Sequence, residues 1–313
     1  MSQNIPIVIG GPTASGKSQL AIDLALELNG VVINADASQV YKSIPVIAAS
    51  PSVEDKQKVP HRLYEYLDDE VNGNVVTWLE DATTEICKAR QQGKTPIIVG
   101  GGGLYLNNLI NGTTPIPETN PEIRAEALRI LEQNGVAELY RLLAAVDPAG
   151  AAMVKPADTT RVRRAYEIFH STGISIADWF TRPMIKKLPD TRFFVIKLMP
   201  LKADLDFRCN LRFGIMMANG ALEEVRHLLK KNVSPDLPVM KAQGVPDLAA
   251  FLRGEISQQE AVENAKLHTR QYAKRQLTWF RNKLEADITL NGCYSSDDNF
   301  INDVKKQYKM LHK

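Results

Sequence analysis

The chain has 313 residues, of which 44% are hydrophobic and 24% are charged, and its formal net charge at pH 7 is +2. This length and composition predict a globular protein with one sizeable domain and a smaller one. The charge alone does not indicate a nucleic-acid partner, and no apolar run approaches the ~18 residues that a membrane span needs. Three dispersed cysteines argue against a disulfide framework or a zinc cluster. Without a basic, apolar leader, the chain is expected to be soluble and cytoplasmic, with no membrane partner.

The first motif along the chain is a phosphate-binding loop. Residues 11–18 read GPTASGKS and match the pattern G-x-x-x-x-G-K-[ST], between a predicted strand at 5–9 and a predicted helix at 19–28. Backbone amides, the helix N-terminus and Lys17 can bind phosphate there, and the Ser18 hydroxyl can ligate Mg²⁺ as a cofactor. The residues predicted to bind a diphosphate are Gly11, Thr13, Ala14, Ser15, Gly16, Lys17 and Ser18.

Hydrophobic periodicity predicts an α/β fold with a parallel core sheet. The predicted strands are residues 5–9, 31–34, 96–99 and 193–198. The predicted helices include residues 77–90, 202–229, 258–284 and 300–311, and residues 43–60 are predicted to be loop.

A change of sequence composition at residue 115 marks a break in the predicted core. A Pro-rich turn cluster there leads into helix-rich sequence without a convincing strand. We therefore predict a discontinuous catalytic core at 1–114 and 191–292, a helical insertion at 115–190 and a C-terminal tail at 293–313.

Asp36 is the first candidate for chemistry on a substrate. It lies in NADASQVY at residues 34–41, at the end of the predicted second strand, where open α/β sheets bind ligands. Its carboxylate can act as a general base, as a Mg²⁺ partner or as an N-cap, and position alone leaves these roles open. The third strand ends in VGGGGLY at 99–105 without the acidic residue that many ATPases and GTPases use, which argues against nucleotide hydrolysis.

Two basic clusters favour a polyanionic co-substrate. Between Lys266 and Lys283 there are six basic residues and no carboxylate, and the spacing of Arg270, Lys274 and Arg281 predicts one helical face. The second cluster, Arg161, Arg163 and Arg164, lies in the predicted insertion and can bind an RNA backbone. Each cluster by itself is equally typical of a solvated surface.

Seven ordered motifs make the chain resemble the tRNA dimethylallyltransferase family, also called tRNA isopentenyltransferases. They are GPTASGKS (11–18), NADASQVY (34–41), PHRLYEYLD (60–68), VGGGGLYL (99–106), DTTRVRRAYEI (158–168), LRFGIMMANGALEEV (211–225) and TRQYAKRQLTWFR (269–281). The resemblance implies a P-loop NTPase-like parallel sheet core of the nucleotide- and ATP-binding type, flanked by helices, with a helical insertion domain. It also implies transfer of a dimethylallyl group from dimethylallyl diphosphate to N6 of adenosine 37, in tRNAs that read codons beginning with U.

The resemblance assigns roles to residues. Asp36 is expected to take the N6 proton, while Lys17, Mg²⁺ held by Ser18 and basic side chains stabilise the leaving diphosphate. The adenosine must leave its stack, so the insertion and the basic helix are expected to hold the anticodon stem-loop of the tRNA partner, with the enzyme as a monomer. The residues expected to contact tRNA are Asp36, Ala37, Ser38, Gln39, Gly102, Arg124, Thr160, Arg161, Arg163, Arg164, Arg270, Gln271, Lys274, Arg275 and Arg281.

The chain departs from the family pattern at a few positions. Gly102 replaces the usual Thr, VIAASP at 46–51 lacks the usual Thr and basic residue, and GVPDL at 244–248 lacks the common Tyr. If the backbone at Gly102 is not at positive φ, restoring Thr is expected to raise transfer up to roughly tenfold. The alternatives are a small-metabolite kinase of the shikimate or gluconate type that uses ATP, and a catalytically weakened tRNA-binding relative.

Overall fold

The computed structural model describes residues 4–296 and 299–311. Within them, one parallel sheet contains the strands β1 (Ile7–Gly10), β2 (Gly30–Asn34), β3 (His61–Arg62), β4 (Thr95–Gly100), β5 (Phe194–Leu198) and β6 (Ile288–Leu290). The strand order is β3-β2-β4-β1-β5-β6, so β1 is central and is hydrogen-bonded to β4 and β5. Every residue of β1 is buried, as expected for a parallel sheet with both faces covered by helices.

Helices of the described residues follow the strands or form a separate group. They are α1 (Lys17–Glu27), α2 (Val53–Lys58), α3 (Val75–Gln91), α4 (Gly103–Asn111), α5 (Pro121–Val146), α6 (Pro148–Ala152), α7 (Thr159–Thr172), α8 (Ile176–Trp179), α9 (Lys202–Ala218), α10 (Ala221–Lys230), α11 (Val245–Leu252), α12 (Gln258–Lys283) and α13 (Phe300–Met310), with a 3₁₀ turn at Pro238–Lys241. None of these helices is both long and apolar enough to cross a membrane.

The α/β class and the four predicted strands are confirmed, with ends shifted by one or two residues. The prediction of one helix over 202–229 is wrong, because the chain breaks at Gly220, whose φ is 99°, between α9 and α10. The segment predicted as loop at 43–60 contains α2, which begins with a capping box of Ser52 and Asp55. Neither β3 nor β6 was predicted, since strands of two and three residues carry too little pattern.

Residue contacts divide the chain into two compact units. The sheet unit comprises the described residues up to Ile110 and from Lys187 onward, and the helical unit is Asn111–Lys186. The helical unit therefore begins and ends four residues earlier than the predicted insertion. The proposal of a separate C-terminal tail needs correction, because Val304 and Tyr308 of α13 pack into the core of the sheet unit. Residues 297, 298, 312 and 313 of that predicted tail lie outside the described residues.

The helices α1 and α12 both pack closely against the sheet, beside the phosphate loop. In α1, Leu20 and Leu24 are fully buried one turn apart, each contributing about 1.5–3 kcal/mol to stability. The long helix α12 passes against the end of β1, where a Cβ on Gly10 would lie 2.7 Å from both Phe280 and Leu284. This glycine lets α12 approach the phosphate loop closely.

Candidate active site

The phosphate loop has the backbone geometry that its sequence predicts. It joins β1 to α1, and its turn uses left-handed conformations at Ala14 (φ 63°) and Gly16 (φ 88°). A side chain at Gly16 would also overlap the backbone of Tyr294, whose amide donates to the Ser15 carbonyl at 2.9 Å. The segment around Tyr294 therefore supports the loop and requires glycine at position 16. Ser18 is exposed in the first turn of α1.

Lys17 is a buried cation at this loop. The residue is 9% exposed, and its Nζ donates to the Pro12 carbonyl at 3.3 Å. Burial lowers the pKa of Lys17 to about 8, while the charge of Asp36 raises it and that of Arg212 lowers it again. The ammonium is therefore poorly solvated and is available to bind an anionic ligand.

Arg212 of α9 is a second cation that sequence analysis missed as a site residue. Its guanidinium donates to Thr13 Oγ1, and burial lowers its pKa. Arg212 borders both the cavity that contains Lys17 and Ser18 and the pocket that contains Asp36. Position 212 lies within the motif LRFGIMMANGALEEV, but its spacing gave no sign that α9 would bring it to the phosphate loop.

Gln276 of α12 joins the phosphate loop to the end of β4. Its Oε1 accepts from the Thr13 amide at 2.8 Å, and its Nε2 donates to the Gly101 carbonyl at 2.9 Å. The residue is 6% exposed, and a Cβ on Gly101 would overlap its side chain. Losing either partner would leave a buried polar group unsatisfied, so this amide holds the two glycine-containing loops together. Sequence analysis missed it because a glutamine in a basic helix carries no signal of burial.

Asp36 is held at the end of β2 by a local network. Asn34 Oδ1 accepts from the Asp36 amide at 2.9 Å, and Asn34 Nδ2 donates to the Asp36 carbonyl at 3.0 Å. Asp36 Oδ1 in turn accepts from the Ser38 amide at 2.9 Å. The local cap that its position suggested therefore exists, but the half-buried side chain also borders a pocket with Thr13 and Arg212.

The pocket that Asp36 borders with Thr13 and Arg212, here called the reaction pocket, has a polar and an apolar part. Besides Thr13, Asp36 and Arg212, its polar lining includes Tyr272, whose pKa is raised by burial and by the charge of Asp36. The phenol of Tyr272 therefore stays protonated at neutral pH and can donate a hydrogen bond. The apolar lining includes Ile47, Phe213 and Met216. The pocket therefore combines a carboxylate, hydrogen-bond donors and a hydrocarbon surface.

The expectation for Gly102 needs correction. Its φ lies outside the left-handed region, but a Cβ there would lie 2.7 Å from the Ala35 carbonyl oxygen, to which the Gly102 amide donates at 3.3 Å. That oxygen belongs to the backbone beside Asp36, so a threonine cannot be added without moving the site. The gain in transfer expected from Thr is therefore replaced by an expected loss.

We expect Gly102→Thr to lower the free energy of unfolding by about 1–3 kcal/mol, the usual effect of overpacking, and to slow transfer. Gly214→Ala is the matched control, because a Cβ on Gly214 meets nothing within 4 Å and alanine in α9 should stabilise by roughly 0.5–1 kcal/mol. Chemical denaturation of both variants measures the difference. A Gly102→Thr variant as stable and active as the parent would contradict this steric account.

The structure places the predicted tRNA contacts of the sheet unit in different environments. Ala37 is exposed, whereas the Gln39 amide donates to the carbonyls of Ala48 (3.2 Å) and Ala49 (2.7 Å). On α12, Arg270 is half-buried and donates to Asn210 of α9 at 2.6 Å, so it is less exposed than Lys274 and Arg281, with which it is predicted to share a helical face. The exposed predicted contacts on this helix are Gln271, Lys274, Arg275 and Arg281.

In the helical unit, the arginine cluster is partly used for structure. Arg163 and Arg164 lie 3.2 Å and 3.8 Å from the carboxylate of Glu167, whose side chain is 5% exposed. Arg161 projects further into solvent, with 71% of its side chain exposed and Asp158 at 3.5 Å. The other predicted contacts of this unit, Arg124 and Thr160, are exposed.

The described part of the chain holds no group of three or more His, Cys, Asp or Glu side chains that could bind a metal ion. Mg²⁺ at a phosphate loop commonly takes one or two protein ligands, with phosphate oxygens and waters completing the octahedron. The exposed hydroxyl of Ser18 in the cavity beside Lys17 fits that donor set.

The fold and this site define a phosphate-loop α/β protein whose anion cavity adjoins a second pocket containing a carboxylate. The family model described as IPP transferase matches residues 39–283. The chain belongs to the IPP transferase family.

Similar proteins match this chain over nearly its whole length. A tRNA dimethylallyltransferase of Rhodospirillum rubrum is 45% identical over 285 residues, which cover 91% of this chain and 87% of the relative. The crystal structure of the full-length tRNA isopentenylpyrophosphate transferase of Bacillus halodurans is similar with a TM-score of 0.69 and 29% identity, covering 100% of both chains. A eukaryotic dimethylallyltransferase acting on tRNA has a TM-score of 0.81 and 29% identity, covering 97% of this chain and 77% of that one.

Proposed function

We propose that this protein transfers a dimethylallyl group from dimethylallyl diphosphate to N6 of adenosine 37, in tRNAs that read codons beginning with U. Membership of the IPP transferase family and the shared name of the relatives support dimethylallyl transfer to tRNA. The observation that carries the chemistry is that Arg212 borders both the phosphate-loop cavity and the pocket of Asp36. A substrate whose diphosphate lies in the first cavity can therefore place its allylic carbon in the second.

The cations at the phosphate loop act on the leaving group. As the allylic C–O bond breaks, negative charge grows on the diphosphate, and Lys17, Arg212 and the amides of the loop are already in place to stabilise it. Mg²⁺, held by Ser18, would supply further charge neutralisation on the diphosphate oxygens. The breaking bond leaves a cation-like allylic carbon, which the apolar side of the pocket shields from water.

Asp36 acts on the incoming nucleotide. An adenine N6 is a very weak base, so its proton should leave during or after the attack on the allylic carbon. The Ser38 amide, which donates to Asp36 Oδ1, restrains the carboxylate beside the pocket. Tyr272, kept protonated, is available as a donor to a ring nitrogen of the adenine.

The exposed cations of α12 and of the helical unit are proposed to hold the anticodon stem-loop. Arg161→Gln is expected to weaken tRNA binding and to reduce the slope of log K against log salt by roughly 0.7–0.9, the change for one lost phosphate contact. Arg141→Gln is the matched control, since Arg141 is also exposed in this unit and paired with Glu138 at 2.7 Å. Equal slopes of log K against log salt for Arg161→Gln and the parent would show that Arg161 makes no phosphate contact.

A labelling experiment tests the proposed function. The purified protein is incubated with labelled dimethylallyl diphosphate or with labelled ATP, each with and without tRNA. We expect label to enter tRNA from dimethylallyl diphosphate and no phosphorylated product to form from ATP. Binding of tRNA without transfer would instead indicate a catalytically weakened relative. The comparisons do not support the alternative of a small-metabolite kinase.

The oligomeric state and the location are further parts of this proposal. We propose a monomer, because one chain supplies both the phosphate loop and the Asp36 pocket, and a cytoplasmic location, where tRNA is available. Light scattering of the purified protein measures the first, and fractionation of cells measures the second.

A further inference from the structure

Met216 separates two cavities of the sheet unit. On one side it lines the reaction pocket that contains Thr13 and Asp36. On the other side it lines a neighbouring cavity, here called the outer groove, whose apolar lining consists of Pro45, Val46, Ala49, Pro51, Val53 and Ile215. The side chain of Met216 is itself buried, with 7% of the residue exposed. A thioether with three rotatable bonds therefore forms part of the wall between the two spaces.

The reaction pocket is closely packed on the side that faces Gly244. Ile47 and Phe213 are both buried and approach Gly244, where a Cβ would lie 2.9 Å from the Phe213 ring and 3.2 Å from Ile47 Cδ1. Gly244 has a φ of 88°, so this close approach depends on glycine. A hydrocarbon chain longer than the pocket therefore finds no room toward Gly244.

The loop between the two cavities is fixed by partly buried polar side chains. The Glu224 carboxylate accepts from the amides of Val46 (2.7 Å) and Ile47 (2.9 Å), while Gln39 donates to the carbonyls of Ala48 and Ala49. Arg212, which also lines both spaces, is held by its hydrogen bond to Thr13. Met216 is therefore the flexible apolar part of the wall, among neighbours that are fixed by hydrogen bonds.

From this arrangement we propose that Met216 limits the length of the prenyl group that the enzyme transfers. The inference rests on the proposed function. In the parent, the Met216 side chain blocks a second isoprene unit beyond the dimethylallyl group. Shortening it joins the reaction pocket to the outer groove, whose apolar lining can hold the added unit of geranyl diphosphate. The reaction stays the same: C1–O breaks, C1–N6 forms, diphosphate leaves and the N6 proton passes to the Asp36 carboxylate.

The test compares kcat/KM for geranyl and dimethylallyl diphosphate with tRNA as acceptor. We expect the parent to prefer dimethylallyl diphosphate by at least about tenfold, and Met216→Ala to raise the geranyl-to-dimethylallyl ratio by about tenfold or more, the scale on which an apolar pocket discriminates by size. Met217→Ala is the matched control. Met217 is the next methionine of α9, is partly buried in the same apolar cluster and does not border either cavity. Its ratio is expected to stay at the parental value.

The outcomes separate this inference from the proposed function. If the parent transfers no dimethylallyl group, the proposed function fails. If it does so but uses geranyl diphosphate equally well, the inference is overturned without any variant. If folded Met216→Ala, or the milder Met216→Val, keeps the parental ratio, Met216 does not set the limit. Thermal unfolding of each variant identifies those that are folded.

Discussion

Replacing Asp36 with asparagine is expected to lower single-turnover transfer by about 10²- to 10⁴-fold, the usual cost of removing a general base. The reason is that the amide cannot accept the N6 proton. Affinity for tRNA should change little, because binding energy comes mainly from the exposed cations. The measurement is rapid mixing of the preformed enzyme–tRNA complex with dimethylallyl diphosphate, together with a filter-binding titration of tRNA.

Asparagine at position 36 also separates the two roles of this side chain. Its Oδ1 can still accept from the Ser38 amide, as Asp36 Oδ1 does at 2.9 Å, so the turn after β2 is retained. Asp36→Ala removes both the base and this hydrogen bond. Similar losses in the two variants assign the effect to the base. Full transfer by folded Asp36→Asn would show that Asp36 acts only as a cap.

Lys17→Ala is expected to weaken diphosphate affinity and transfer together, each by about 10- to 100-fold, because a hydrogen bond from a charged group is worth roughly 1.5–3 kcal/mol. The control is Lys88→Ala, which removes an exposed lysine of α3 paired with Glu85 at 2.8 Å. Isothermal titration with inorganic diphosphate measures the affinity. An unchanged affinity for diphosphate in Lys17→Ala would show that Lys17 does not contribute to diphosphate binding.

The pH dependence gives Lys17 a second signature. Burial lowers its pKa to about 8 in the free protein, so the protonated form that binds the diphosphate is lost as the pH rises through that value. We therefore expect kcat/KM for dimethylallyl diphosphate to fall above about pH 8 in the parent, and this limb to be absent in Lys17→Ala. Identical alkaline profiles in the two proteins would assign the limb to another group.

Sequence patterns predicted the parts of the site that local chemistry determines. The phosphate loop and the strand-end position of Asp36 depend on motifs of eight residues, so their placement follows once the strands are recognised. Arg212 and Gln276 are different, because long-range packing brings α9 and α12 to the loop and the residues themselves carry no pattern. The hydrogen bond of Arg270 was not predicted for the same reason, since its partner Asn210 is 60 residues away.

Local signals also explain two errors in the predicted elements. Ser52 and Asp55 form a capping box that marks the start of α2, and this signature was present in the segment predicted as loop. The break after Ala218 occurs at Asn219–Gly220, where a left-handed glycine interrupts an otherwise continuous apolar period. The effect of a side chain at Gly102 could not be predicted from local sequence, because the atom that a side chain would meet is the carbonyl oxygen of Ala35, which is distant in sequence.

The most direct test of the central claim is single-turnover transfer to an anticodon stem-loop with adenosine at position 37. The substrate is dimethylallyl diphosphate labelled in the allyl group, and the matched acceptor carries guanosine at that position. After nuclease digestion, we expect the label in N6-dimethylallyladenosine from the adenosine stem-loop and none from the guanosine one. An absence of label in both RNAs, or equal label in both, would contradict the account.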